Sequence, residues 1–166
     1  MADHAVFREY LQLLQGLEKT VGQLVELERK KAGAVRANDV QLVDDCIRQE
    51  QVLSLSLRGA EQKRAKMLKE LGLEHVKLFG LEREAPEELR REAHETACAL
   101  HRRYEEYQSA SDAARTALER VLIQIDQMLA AEQQKAPQPQ AGGLRRQPQP
   151  GGEEPPEGGH GADFKA

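Results

Sequence analysis

The side chains best suited to chemistry lie together in His94-Glu95-Thr96-Ala97-Cys98, with His101 on the next turn. A metalloprotease helix needs His-Glu-x-x-His, because two imidazoles one turn apart hold the zinc while the Glu beside them acts as base. Here Cys98 stands where the second histidine should be, so that pair is missing. His94, Cys98 and His101 still share a helix face at i, i+4 and i+7, and zinc accepts such ligands. At about 100° per residue that face lies roughly 120° from the stripe Leu89, Ala93, Leu100 and Tyr104, which puts the three side chains in solvent. An exposed set without surrounding partners is poor for catalysis, and ordinary surface residues are expected.

Other catalytic patterns fail on spacing. Di-iron bundles carry inward Glu-x-x-His pairs, and none of His75, His94 and His101 has a Glu three residues before it. The glycines lie singly in helices or in a repetitive C-terminal tail, so no phosphate-cradling loop is present. No strand is predicted, which removes the strand-turn-helix elbow that exposes a Ser or Cys nucleophile. The expected protein is not an enzyme and uses no cofactor or metal. The paired Tyr104 and Tyr107 sit at seam spacing and are expected to pack against another helix with their hydroxyls at its edge.

Charge and composition narrow the partners. With 24 Lys and Arg against 28 Asp and Glu, the 166-residue chain carries a net charge of -4. Nucleic-acid binding rests on many phosphate-neutralising cations, so no nucleic-acid role is expected, and Arg29-Lys30-Lys31, Arg90-Arg91 and Arg102-Arg103 read as solvated helix faces. No apolar run approaches the roughly 20 residues that span a bilayer, so no membrane insertion is expected. The start Met1-Ala2-Asp3-His4 lacks the features of a signal peptide. With only Cys46 and Cys98, the expectation is a cytoplasmic protein with free thiols.

The elements that carry these residues are helices. Apolar residues recur at steps of three and four, the mark of a helix that buries one stripe. A first helix, about 3–37, starts at the N-cap Asp3 and presents Phe7, Leu11, Leu14, Leu17, Val21 and Leu24. Its Gly16, Gly22 and Gly33 weaken it unless they admit a neighbour closely. Asn38-Asp39-Val40-Gln41 resembles a capping box with Asn38 as cap, opening a second helix over about 39–71. That helix is expected to bury Val40, Val43, Ile47, Leu53, Leu57, Ala60, Met67 and Leu71, with Glu50 and Arg64 interrupting the seam and Gly72 ending it. Leu73, Val76, Leu78, Phe79 and Leu81 suggest a short turn stopped at Gly80. Pro86 fits the first position of a third helix over about 86–131. From Glu132 the last 35 residues hold six of seven prolines and seven of thirteen glycines, and a disordered tail is expected. The fold class is all-α: an elongated three-helix antiparallel coiled-coil bundle.

Length bookkeeping singles out one end. A third helix of about 46 residues exceeds a first of about 34 by roughly 18 Å, and short connections start both at the same end. The surplus is the apolar stretch around Leu118, Val121, Leu122, Ile125, Met128 and Leu129. Each large aliphatic side chain left in water forfeits about 1.5–3 kcal/mol, so something should cover them. Either Ser109-Ala110-Ser111-Asp112 breaks the helix and a fourth helix folds back, or the segment is a partner-binding surface in which anchors at i, i+3, i+4 and i+7 meet a facing helix.

The second helix with Arg48-Gln49-Glu50-Gln51 and Arg64-Ala65-Lys66-Met67-Leu68, the stop Leu71-Gly72 and the ending Leu118-Glu119-Arg120-Val121-Leu122 resemble the FlgN family of flagellar export chaperones over residues 6–129. The resemblance implies a cytoplasmic chaperone of flagellar type III export. Such a protein binds C-terminal segments of hook-filament junction proteins, the flagellar hook-associated proteins, and works with the export apparatus. It also implies that the C-terminal part of the chaperone carries the substrate contact, here Leu118, Val121, Leu122, Ile125, Met128 and Leu129. Where family members often have asparagines before that segment, this chain has Ser109, Ser111 and Asp112. The ending Asp163-Phe164-Lys165-Ala166 resembles short endings in some members. The rival expectation is a structural coiled coil that forms a homo-oligomer through the same helix.

Overall fold

A computed structural model describes residues 3–135. Among the described residues there are four α-helices and no strand: α1 His4–Arg36, α2 Val40–Glu70, the one-turn α3 Leu81–Glu84, and α4 Arg90–Lys135. Short 3-10 turns at Leu78–Gly80 and Glu87–Leu89 lead into α3 and α4.

The helix ends follow local chemistry. Asp3 Oδ1 accepts from the Ala5 amide at 3.1 Å, satisfying one of the donors that a first turn leaves open. The α1–α2 turn is built differently from the capping box expected at Asn38. Asn38 adopts φ 55° as the left-handed residue that closes α1, with the Asp39 amide bonded to Ala34 O at 2.9 Å. Asp39 is the cap of α2 instead, its Oδ1 accepting from the Leu42 amide at 3.0 Å. Gly72 ends α2 in the same left-handed way, at φ 68°, and Leu73 folds back so that its amide bonds Leu68 O at 2.9 Å. Leu68 and Leu73 are both buried, the apolar contact that accompanies this cap. Gly80 does not stop the chain, which continues from the 3-10 turn into α3. Pro86 precedes Glu87–Leu89 as their cap, one position ahead of the helical place expected for it.

Helix α1 is the shared element, packing along both α2 and α4, whereas α2 and α4 approach each other at few points. Lys31 of α1 meets Glu50 of α2, and Tyr10 meets Arg64, so the start of α1 lies beside the end of α2. His4 meets Glu88 at 3.2 Å, and Arg103 Nε of α4 donates to Glu18 Oε1 at 2.8 Å, so α1 and α4 begin at one end. The main core is Phe7, Leu11, Leu14 and Leu17 against Met67, Leu68, Leu73, Leu81, Leu89 and Leu100. Each such side chain removed from water contributes about 1.5–3 kcal/mol.

Several expected core positions lie elsewhere. Val40 and Ile47 are exposed, and Cys46 and Leu68 take the buried face of α2. At 100° per residue Val40 and Ile47 point about 90° or more away from Cys46, Leu57 and Arg64, and with α4 standing off from α2 no second neighbour covers that side. Only Gly22 of the α1 glycines has a close neighbour, the Arg103 guanidinium, 3.5 Å from where a Cβ would sit; Gly16 and Gly33 face open space. Glu132 to Lys135, expected in the tail, continue α4 as helix. The ending Asp163-Phe164-Lys165-Ala166 lies outside the described residues.

Candidate partner-binding surface

Helix α4 runs unbroken through Ser109-Ala110-Ser111-Asp112, so no fourth helix folds back from there. Serine costs a helix only a few tenths of a kcal/mol, and the segment supports itself. Arg115 reaches Asp112 at 3.3 Å and Thr116 Oγ1 donates to the Asp112 carbonyl at 2.9 Å. With 33 residues in α1 and 46 in α4, α4 projects by about 20 Å. Val35, Arg36 and Asn38 border a cleft of about 420 Å³ with Ala117, Val121 and Gln124, which marks the level where α1 ends.

The six residues expected to bind a partner all fall at or past that level. Leu118 is 36% exposed, Leu122 60%, Ile125 46%, Met128 67% and Leu129 52%, and Val121 is half-buried. Ile123, also exposed, is on the opposite face. The seam upstream is lined by small residues, with Ala110, Ala114 and Ala117 buried where α4 passes α1. Over these turns alanine lets the two helices approach, whereas Leu100 fills the core further upstream and the side chains are large again where α1 has ended.

A groove of about 600 Å³ adjoins this surface where α2 and α4 stand apart, lined by Leu14, Leu68, Leu100, Tyr107 and Arg115 among others. Tyr104 lines it too, but its hydroxyl is buried and not at the helix edge as expected. Burial first, and then the Glu61 carboxylate, push the Tyr104 phenol up to about 12. A second groove, about 960 Å³, runs between α1 and α2 past Gly22, Leu27, Val52, Leu53 and Arg103. Sequence reasoning missed it. Exposed Val52 and Leu55 fall outside the α2 seam, and scattered exposed aliphatics are too common to flag a site.

The residues suited to chemistry do not converge. His94 Nδ1 is 2.9 Å from Glu82 Oε2 and its Nε2 faces Cys98 Sγ at 3.7 Å. His101 turns away, edge-on to Phe79 at 5.1 Å between ring centres and 3.0 Å from Glu105. Among the described residues no group of three His, Cys, Asp or Glu could hold a metal ion. No helix among them is long and apolar enough to cross a membrane.

Compared with models of protein families, with curated proteins and with solved structures, the chain matches none of them.

Proposed function

We propose that this protein is a chaperone that masks an amphipathic helix of a client, seated on the projecting part of α4. The observation that carries the reading is the open apolar face of Leu118, Leu122, Ile125 and Leu129 beyond the end of α1. Helix α1 ends at this level, so a client helix there would cover side chains that no other helix of the described residues reaches. In this reading the helices form an elongated antiparallel three-helix coiled coil. The protein works in the cytoplasm by covering apolar surface, with no catalytic step.

The resemblance to the FlgN family narrows the client to the C-terminal helical segments of flagellar hook-filament junction proteins, held until type III export. Co-purification with such a protein at a defined ratio, lost in Leu122→Asp or Ile125→Asp, is the expected result. A stable homodimer that these substitutions dissolve, with no client bound by the original chain, would overturn the chaperone reading in favour of a self-associating coiled coil. Strong hydrogen-exchange protection of residues 121–129 in a proven monomer would remove the surface itself.

A further inference from the structure

We infer that the helix received by α4 carries a row of Lys or Arg along one edge of its apolar face. The inference rests on the reading of Leu118 to Leu129 as a partner surface and adds the chemistry of the partner. At 100° per residue Leu118, Leu122, Ile125 and Leu129 fall within about 60° of one another. The two borders of that stripe differ. Val121 and Met128 line one side, whereas Glu119 and Asp126, seven residues apart, line the other about 70–90° from the centre. Both carboxylates are exposed. The cation nearest on that edge, Arg115, is engaged by Asp112 at 3.3 Å, and Arg120 projects from the far side of the helix. Over residues 118–129 the open stripe therefore has one anionic border and one apolar border, and on the apolar side a carboxylate comes only a turn further on, at Glu132.

A second copy of this chain matches that pattern poorly. Laid antiparallel, two stripes bring Glu119 and Asp126 of one copy beside Asp126 and Glu119 of the other, which repel. Laid parallel, the carboxylates meet Val121 and Met128 of the other copy, which offer no cation. A basic-edged helix satisfies both borders at once. Exposed pairs of this kind select a partner and its orientation more than they hold it, and salt screens them.

The test uses the full chain and two synthetic amphipathic peptides of about 18 residues, five helical turns, with identical leucine faces. One has Lys along both edges and the other Glu, and affinity is read by fluorescence anisotropy. The Lys peptide is expected to bind about five- to thirtyfold more tightly at low salt. That advantage should collapse at about 0.5 M salt, where screening acts within a few ångströms. It should also collapse in the Glu119→Gln/Asp126→Asn double variant, whose helix content is checked by circular dichroism. If Leu122→Asp abolishes binding of both peptides while salt and the double variant leave their ratio unchanged, the surface stands and the basic edge is wrong. If Leu122→Asp leaves Lys-peptide binding intact, or neither peptide binds, the surface and the edge fall together.

Discussion

Lys31 Nζ of α1 lies 2.6 Å from Glu50 Oε1 of α2 and 3.1 Å from Glu28 Oε1 on its own helix, so one buried ammonium serves two carboxylates. Burial works to lower the Lys31 pKa, and the hydrogen bonds it donates to Glu50 and Glu28, with their charges, more than offset it, so that it ends raised. Glu28 moves up, through burial first and then its hydrogen bond with Glu50. Together with Tyr10 and Arg64 near the other end, the layer interrupts the apolar seam between α1 and α2.

Removing the ammonium strands both acids. Lys31→Ala is expected to cost about 3–5 kcal/mol, whereas Glu28→Gln, which leaves one acid for one base, should cost less than about 1 kcal/mol. Urea denaturation of the two variants measures the contrast. A group whose pKa is raised on folding adds stability that is complete below its ordinary value and is lost as pH rises through the folded value. Glu28 should therefore make the unsubstituted protein gain stability relative to Glu28→Gln as pH falls toward the ordinary 4.5. Equal slopes for the two proteins would contradict this.

The tyrosines set an alkaline limit. Tyr10, Tyr104 and Tyr107 are all pushed up by burial, Tyr104 from 10.0 to about 12. By the same sign rule their contribution is complete below 10 and is lost as pH rises through the folded values. Ultraviolet titration should show phenolate forming well above pH 10, with Tyr104→Phe removing the latest-titrating component.

The two thiols should separate by access. Cys46 is fully buried and burial pushes its thiol up, whereas Cys98 is partly exposed beside His94. A native-state thiol reagent should modify Cys98 promptly and Cys46 only at the rate of unfolding, with mass spectrometry locating the label. Equal labelling would contradict the placement of Cys46.

Leucines on one chain should divide into two classes. Leu14→Ala, at a side chain with no exposure, is expected to cost about 2–5 kcal/mol. Leu122→Ala, on the projection, should change stability by less than about 0.5 kcal/mol. Denaturant midpoints read both, and a large cost at Leu122 would mean that something in the free protein already covers it.

Much of the helix content was legible because periodicity and caps act locally. Asp3 and Gly72 punctuate the chain as their types suggest, and the α1 stripe from Phe7 to Leu24 is buried as its spacing implies. The α2 seam was misread at Val40 and Ile47, because which of several apolar faces is covered depends on how many neighbours a helix has. The role of Asn38 was misread by one residue, since Asn38 and Asp39 can both cap and only the backbone path decides between them. The projecting residues could be named from lengths alone, yet their exposure required that α4 stay continuous through Ser109 and Asp112.

By itself, then, the order of residues determined helices, their approximate ends and the place where apolar side chains outrun their partners, since these follow from local propensity and from rise per residue. Tertiary structure decided that α1 sits between two helices that hardly meet, that Glu28, Lys31 and Glu50 form one buried layer, and that the Tyr104 hydroxyl turns inward. Those outcomes depend on the spacing and rotation of whole helices, quantities that no local stretch of chain encodes.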